Sequence, residues 1–290
     1  MSGRGTVSFV ECPRDAWQGL PHIIPGETKR AHLQALLDAG FARIDAGSFV
    51  SPRAVPQMAD TEAVISALDV PAGVDIVCIV GNERGVERAA LVGAVTSVGY
   101  PLSVNETFQR RNLGYGLEDS WPMVERVAAL CEQAGLELVV YLSMAFGNPY
   151  RDAWTPANTA VFIQRLRDMG VTRIALADTL GSANATVVER VLGSVSNASD
   201  LGLHLHARPD AWHETVTAAL KHGLRWVEGA LGGIGGCPFA GDTLVGNLPT
   251  ELVLPWLEQQ GYELDVRVDA AALNDLVLDA ADIARRYGAA

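Results

Sequence analysis

Three observations on this 290-residue chain predict an α/β fold, a (β/α)8 TIM barrel with an extra C-terminal helix. Short β-rich runs alternate with longer amphipathic ones along the whole length. Eight such units in ~230 residues fit a closed ring better than an open, doubly wound sheet. Several helix-patterned segments stop at a glycine just ahead of the next strand, as at Ala39-Gly40, Ala134-Gly135, Met169-Gly170 and His222-Gly223. Glycine accepts the left-handed conformation that ends a helix, so these pairs mark a recurring helix–glycine–strand unit. Length alone would allow two domains. No composition shift, Pro/Ser-rich linker or charge run divides the chain, so residues 1–290 read as one barrel domain.

The strand candidates are Val7–Cys12, Arg43–Ser48, Asp75–Val80, Ala94–Val98, Leu136–Ser143, Arg173–Ala177, Gly202–His206 and Trp226–Ala230. Amphipathic segments lie between them: Thr28–Ala39, Thr61–Leu68, Asp119–Ala134, Pro156–Met169, Ala185–Ser194 and Ala211–Lys221. A last helix, Ala270–Tyr287, is expected to pack outside the ring.

Composition narrows the function classes. With 22 Lys+Arg against 34 Asp+Glu, the net charge of -12 argues against a nucleic-acid or anionic-membrane partner. An anionic ligand must then be met by a few local arginines, helix N-termini or a metal. No run approaches ~18 uninterrupted apolar residues, and no signal-peptide core opens the chain, so a cytoplasmic location is expected. The 4 cysteines, Cys12, Cys78, Cys131 and Cys237, are too scattered for a disulfide framework. The first three sit in apolar runs and read as small buried hydrophobes.

In a barrel of this kind, chemistry sits at the C-terminal ends of the strands. Strand 1 runs into Pro13-Arg14-Asp15, placing an arginine and a carboxylate at the mouth. Asp45 lies inside an apolar strand, where a carboxylate needs a partner or a role. Strand 6 ends in Asp178-Thr179, as compatible with capping as with chemistry. Strand 7 reads Leu203-His204-Leu205-His206. Residues two apart share a face, so the imidazoles lie together inside the barrel, where they are poor core material and good ligands for a divalent metal.

After strand 8, the glycine-rich run Gly232–Gly236 precedes Cys237. Too little chain follows for a dinucleotide-binding unit. A flexible loop presenting one thiol over the mouth fits better. Carboxylate, imidazoles and an amide oxygen from Asn247 would form a mixed N/O site suited to Mg²⁺ or Mn²⁺, and also to Zn²⁺.

These motifs resemble the 3-hydroxy-3-methylglutaryl-CoA lyase family, whose metal-dependent barrels break carbon–carbon bonds next to a thioester. The likeness covers nearly the whole chain. Its anchors are Pro13-Arg14-Asp15, Ser48–Pro52 with Val55–Asp60, Glu106-Thr107-Phe108 with Asn112, Asp178-Thr179, the His204/His206 pair, Gly235–Phe239 and Gly246-Asn247-Leu248. The resemblance implies that Asp15, His204, His206 and Asn247 hold the metal and that Arg14 stabilises the enolate and thioester oxygen. It implies a catalytic role for Asp45, in place of a family glutamate, for the mobile-loop thiol of Cys237, and for Asp15 or His204 as base. It sets Asn82 near the substrate. The CoA phosphates are then expected at basic residues of the mouth, with Arg53, Arg84, Arg110 and Arg111 as candidates. A homo-oligomer, usually a dimer, is implied as well.

Several positions depart from the family pattern. Ala16-Trp17-Gln18 replaces Gly-Leu-Gln, a bulkier wall near the site. Asp45 is one methylene shorter than glutamate and leaves room. Asn148 replaces a cysteine, and Ala207-Arg208-Pro209-Asp210 replaces Asp-Thr-Tyr-Gly. Citramalyl-CoA or a longer-branched acyl-CoA is therefore an alternative substrate. A second alternative is a Claisen-type acyltransferase of the isopropylmalate or citramalate synthase kind, although 290 residues leave no room for a regulatory domain. A third is a barrel that binds metal and acyl-CoA without turnover.

Overall fold

Eight parallel strands follow one another around a ring in a computed structural model that describes residues 4–208, 210–236 and 245–288. They are β1 (Thr6–Glu11), β2 (Arg43–Ser48), β3 (Asp75–Ile79), β4 (Ser97–Ser103), β5 (Glu137–Ser143), β6 (Arg173–Asp178), β7 (Leu201–Leu205) and β8 (Trp226–Gly229). Each pairs with the next, and β1 closes the ring by pairing with both β8 and β2. This is the predicted (β/α)8 barrel. A two-residue strand, β9 (Glu263–Leu264), adds onto the start of β1, which the sequence reading missed.

The helices in chain order are α1 (Pro13–Gln18), α2 (Gly26–Asp38), α3 (Thr61–Ser66), α4 (Glu83–Ala90), α5 (Glu106–Leu113), α6 (Leu117–Ala134), α7 (Pro156–Asp168), α8 (Ala185–Leu192), α9 (His213–Lys221), α10 (Thr250–Gln259) and α11 (Ala270–Gly288). Gly135 takes positive φ at the end of α6 and caps it through its N–H, as its place before β5 predicted. The C-terminal helix α11 buries the stripe Leu273, Leu276, Ala280 and Ile283. It is tied to α2 by Asp279 Oδ2, 2.6 Å from His32 Nδ1.

One strand is displaced from its expected place. The sequence pointed to Ala94–Val98, whereas β4 runs from Ser97 through Pro101 to Ser103. The Gly99 carbonyl accepts from Val80 and so faces β3, which turns the Pro101 nitrogen to the same side. The ladder to β3 ends at Gly99. Beyond it β4 is an edge on that side, and no hydrogen bond is lost there.

The floor of the barrel is sealed by charge and aromatic packing. Arg173 contacts Asp75 at 2.8 Å, Glu137 at 2.7 Å and the Ser97 hydroxyl at 3.0 Å. Its guanidinium also lies 5.2 Å from the Trp226 ring centroid. Above it, Val10, Val139 and Ala175 fill the interior. Polar side chains thus gather at both ends of the barrel, with an apolar layer between them: a closed ion cluster at the floor and an open set at the C-terminal ends of the strands.

Candidate active site

The strand alternation sends Leu203 and Leu205 into the outer core and turns His204 and His206 inward. Their rings lie 5.1 Å apart, nearly perpendicular. Asp15 comes from the short helix α1, which starts at Pro13 immediately after β1. One ligand-type atom from each of Asp15, His204 and His206 falls within 4.8 Å of the others, and all three residues are buried.

Arg14 is fixed beside this cluster. Its Nε donates to both Asp45 oxygens, at 3.2 and 3.0 Å, and a second nitrogen contacts Asp45 Oδ2. The remaining amino group donates to Asp15 Oδ1 and Gln18 Oε1, each at 3.0 Å. Gln18 in turn donates to Asp15 at 2.8 Å. Asp45 sits at a bulge in β2, where the register to β3 shifts between Asp45 and Gly47. Asp45 is fully buried and absent from the cavity wall, so it orients Arg14 and does not enlarge the substrate space.

Electrostatics separates the two carboxylates. Burial works against the charge on both, yet Arg14, His206 and His204 hold Asp15 well below the usual carboxylate range. Asp45 is pushed up to about 6 by burial, against the pull of Arg14. The imidazoles also diverge. Burial lowers His206 to about 4, leaving a neutral ring with a lone pair to offer. His206 Nδ1 is buried with no hydrogen-bond partner among the described residues. His204 is raised: burial opposes its charged form, but Glu228 more than compensates with its hydrogen bond and charge.

Asn247 approaches through an antiparallel bridge to His206. Its amide nitrogen donates to Asp15 Oδ2 at 2.8 Å and to the Ile234 carbonyl at 2.9 Å. The nitrogen faces Asp15, so ligation through the amide oxygen requires the amide to turn.

The donor set fits a divalent cation. One anionic oxygen, a neutral imidazole and a second imidazole whose other nitrogen is engaged converge with no thiolate among them. A structural clamp would enclose its ion fully. This cluster instead lies on the wall of a cavity of about 380 Å³. Arg14, Gln18, Tyr141, Ser143 and Thr179 share its polar side; Val50, Ile79, Pro101, Leu113 and Met123 line it with apolar surface.

Not every expected residue reaches the cavity. Asn82 does, while also capping α4 by accepting from the Gly85 N–H at 3.1 Å. Arg53, Arg84, Arg110 and Arg111 are exposed and lie outside the cavity wall. Arg110 pairs with Glu106 at 2.6 Å, and Arg111 lies 4.8 Å from the Tyr150 ring centroid. Trp17 is no wall of the site: it turns into the core and packs edge-on against His32. Asp178 organises its own loop, accepting from Leu180 and Ala183 at 3.3 and 2.7 Å. Asn148 closes the turn after β5, accepting from Tyr150 and Asp152 and donating to the Asp152 carbonyl. Cys237 lies outside the described residues.

The sequence reading missed Glu228. It is fully buried on β8, with Oε2 2.8 Å from His204 Nδ1. A carboxylate two residues after Trp226, in an otherwise apolar strand, was the available signal.

Comparison with known proteins meets this geometry directly. The model of the HMGL-like family matches residues 8–278. The chain belongs to the HMGL-like family. A hydroxymethylglutaryl-CoA lyase of Bacillus subtilis is 31% identical, over 89% of this chain and 86% of the relative. An HMG-CoA lyase structure from Brucella melitensis superposes with a TM-score of 0.90 at 29% identity, covering 97% of this chain and 99% of the other. An Acinetobacter baumannii HMG-CoA lyase, solved with coenzyme A and 3-methylmalate, gives a TM-score of 0.87 at 29% identity, covering 96% and 91% of the two chains. This member of the HMGL-like family is a carbon–carbon lyase by kinship. Among its described residues no helix is long and apolar enough to cross a membrane.

Proposed function

We propose that this protein cleaves 3-hydroxy-3-methylglutaryl-CoA, or a closely related 3-hydroxyacyl-CoA, to acetyl-CoA and a 3-oxo acid, acetoacetate for the named substrate. The observation that carries this reading is the convergence of Asp15, His204 and His206 beside an arginine already fixed in place, on the wall of one cavity. A hydroxymethylglutaryl-CoA lyase relative and a neighbour solved with coenzyme A support the substrate class.

Asp15, His204 and His206, with Asn247 beside them, would hold a divalent cation, Mg²⁺ or Mn²⁺ from the oxygen and imidazole donors. Bound there, the ion acts as a Lewis acid that lowers the pKa of a substrate hydroxyl. Of the two candidate bases, Asp15 and His204, Asp15 takes the hydroxyl proton, because Glu228 and the cation would engage both ring nitrogens of His204. As the carbonyl re-forms at C3, the bond from C2 to C3 breaks, and its electron pair passes into the enolate of the departing acetyl thioester. Arg14 supplies fixed positive charge for that enolate oxygen. Its orientation is set before substrate arrives, because Asp45 and Gln18 already hold it. Cys237 returns a proton to the enolate carbon.

The test is an assay of the purified protein with Mg²⁺ or Mn²⁺ against a panel of 3-hydroxyacyl-CoA thioesters, including citramalyl-CoA. Cleavage of a 3-hydroxy-3-alkylglutaryl thioester is expected, with loss of activity on chelation. No cleavage or condensation with any member, at any metal, overturns the reading. The same reading makes the protein a cytoplasmic homodimer, which sedimentation of the purified chain tests for the assembly.

A further inference from the structure

We propose that Glu228 is a positioning residue: it fixes His204 in the tautomer that carries its proton on Nδ1 and so presents a bare Nε2 to Asp15 and His206. The inference rests on the metal-site reading above for its consequence, though not for its geometry. Glu228 lies on β8, one strand over from His204 on β7, and the two residues are direct partners in the parallel register. Its side chain is fully buried, and Oε2 stands 2.8 Å from Nδ1.

A neutral imidazole has one N–H and one lone pair, and a carboxylate only accepts. The shared hydrogen bond therefore places the proton on Nδ1 and leaves Nε2 unprotonated. The orientation of the ring is set by the same contact and by the Tyr141 ring, edge-on at 5.9 Å. On the other side of the carboxylate, the Cys12 thiol donates weakly to the same oxygen at 3.8 Å. Oε1 has no partner among the described residues, so the strongest bond of this side chain is the one to His204. His206 differs: among the described residues its Nδ1 has no carboxylate partner. Only one of the two imidazoles is therefore locked by a carboxylate.

A buried carboxylate facing nothing but solvent-excluded apolar surface would be a liability with no return. Here it stands behind a residue that faces the cavity, the arrangement in which an outer carboxylate orders a ligating histidine and raises its basicity. Loss of such a partner weakens metal binding by roughly 10–100-fold.

The experiment reads the tautomer in the metal-free protein. Two-bond proton–nitrogen correlation on ¹⁵N-labelled protein, recorded at alkaline pH with His204 assigned through His204→Asn, shows which ring nitrogen carries the proton. The wild-type protein is expected to show a protonated Nδ1. Glu228→Ala is expected to shift His204 toward the Nε2–H form and to weaken Mn²⁺ binding, followed by calorimetry, by at least tenfold. Glu228→Asp should restore part of both. Should Glu228→Ala fail to fold, Glu228→Leu keeps much of the volume and offers His204 no acceptor, and the same tautomer shift and loss of Mn²⁺ affinity are expected. An unprotonated Nδ1 in the wild-type protein overturns the proposal, as does Mn²⁺ affinity within twofold of wild type in a folded protein carrying Glu228→Ala or Glu228→Leu. A wild-type protein that binds no Mn²⁺ at all counts against the metal-site reading instead, while the tautomer measurement still decides this one.

Discussion

Arg14 and Asp45 form a buried ion pair in which the arginine uses Nε and a terminal nitrogen on one carboxylate. The pair fixes the plane of the guanidinium while its other amino group reaches Asp15 and Gln18. Asp45 lies far from Arg14 in sequence, and the bulge in β2 is what aims it. Removing Asp45 would leave the buried Arg14 with Asp15 alone as its anionic partner among the described residues, and would free the edge of the guanidinium that Asp45 holds.

Asp45→Asn therefore carries two expected effects. Breaking a buried pair by removing one partner costs about 3–5 kcal/mol of stability. The freed guanidinium loses its fixed orientation, so kcat falls by at least tenfold with metal affinity little changed. Thermal melts, metal titration and single-turnover kinetics on the same preparation separate these effects. A variant as stable and active as wild type would remove Asp45 from the site.

Glu11 gives a pH dependence of stability. Burial pushes its carboxyl up to about 8 from 4.5, while Oε1 accepts from Leu231 N at 2.8 Å and Oε2 from the Thr250 hydroxyl at 2.5 Å. The folded state binds the proton more tightly than the unfolded chain, so the folded protein is favoured at low pH. That stabilisation is fully present below about 4.5 and is lost as pH rises through about 8. Glu11→Gln is neutral at every pH. Its melting temperature should gain on the wild type as pH is raised from 5 to 9, and two parallel curves would refute the assignment.

Gly202 is required for steric reasons. A Cβ there would stand 2.5 Å from Trp226 Cδ2 and 2.6 Å from Cε3. The indole lies against Arg173 at the barrel floor and has little room to retreat. Gly202→Ala should cost about 1–3 kcal/mol, as overpacking of a filled interior does. Chemical denaturation measures it, and an unchanged midpoint would show that the floor repacks freely.

Asn148 governs the loop after β5. Its three backbone contacts, at 3.0, 3.0 and 3.2 Å, hold the turn through Arg151, which adopts a φ of 63°. Asn148→Ala leaves that non-glycine residue in the left-handed region without its support. Tryptic cleavage after Arg151 should be several times faster than in wild type. Equal rates would mean that the turn is held by its backbone alone.

Much of this was legible in the order of residues. Strand 7 showed its chemistry because period two is a local rule: His204 and His206 must share a face whatever surrounds them. Arg14-Asp15 was legible because the end of a barrel strand is where polar residues are exposed to a cavity. Glu228 was missed because its meaning depends on the register between β7 and β8, a long-range pairing that no local pattern reports. Trp17 was misplaced for a related reason. Adjacent residues on a short helix point in different directions, and the chain alone does not say which of Arg14, Trp17 and Gln18 faces the mouth. The four arginines expected at the CoA phosphates were chosen by charge, and they are exposed outside the cavity wall, where a ligand longer than the cavity would have to reach them.

The sequence by itself determined the barrel, its eight-fold alternation and the residue types that gather at the strand ends, because hydrophobic periodicity and helix-ending glycines are local consequences of backbone geometry. Only the tertiary structure decided which of those residues act together. Ring closure brings β1 against both β8 and β2, setting Arg14 on Asp45 and Asn247 on Asp15, and the β7–β8 register sets Glu228 on His204. Hydrogen bonds and buried charges depend on distances of a few tenths of an ångström between residues remote in the chain. Those distances are fixed by how the whole core packs.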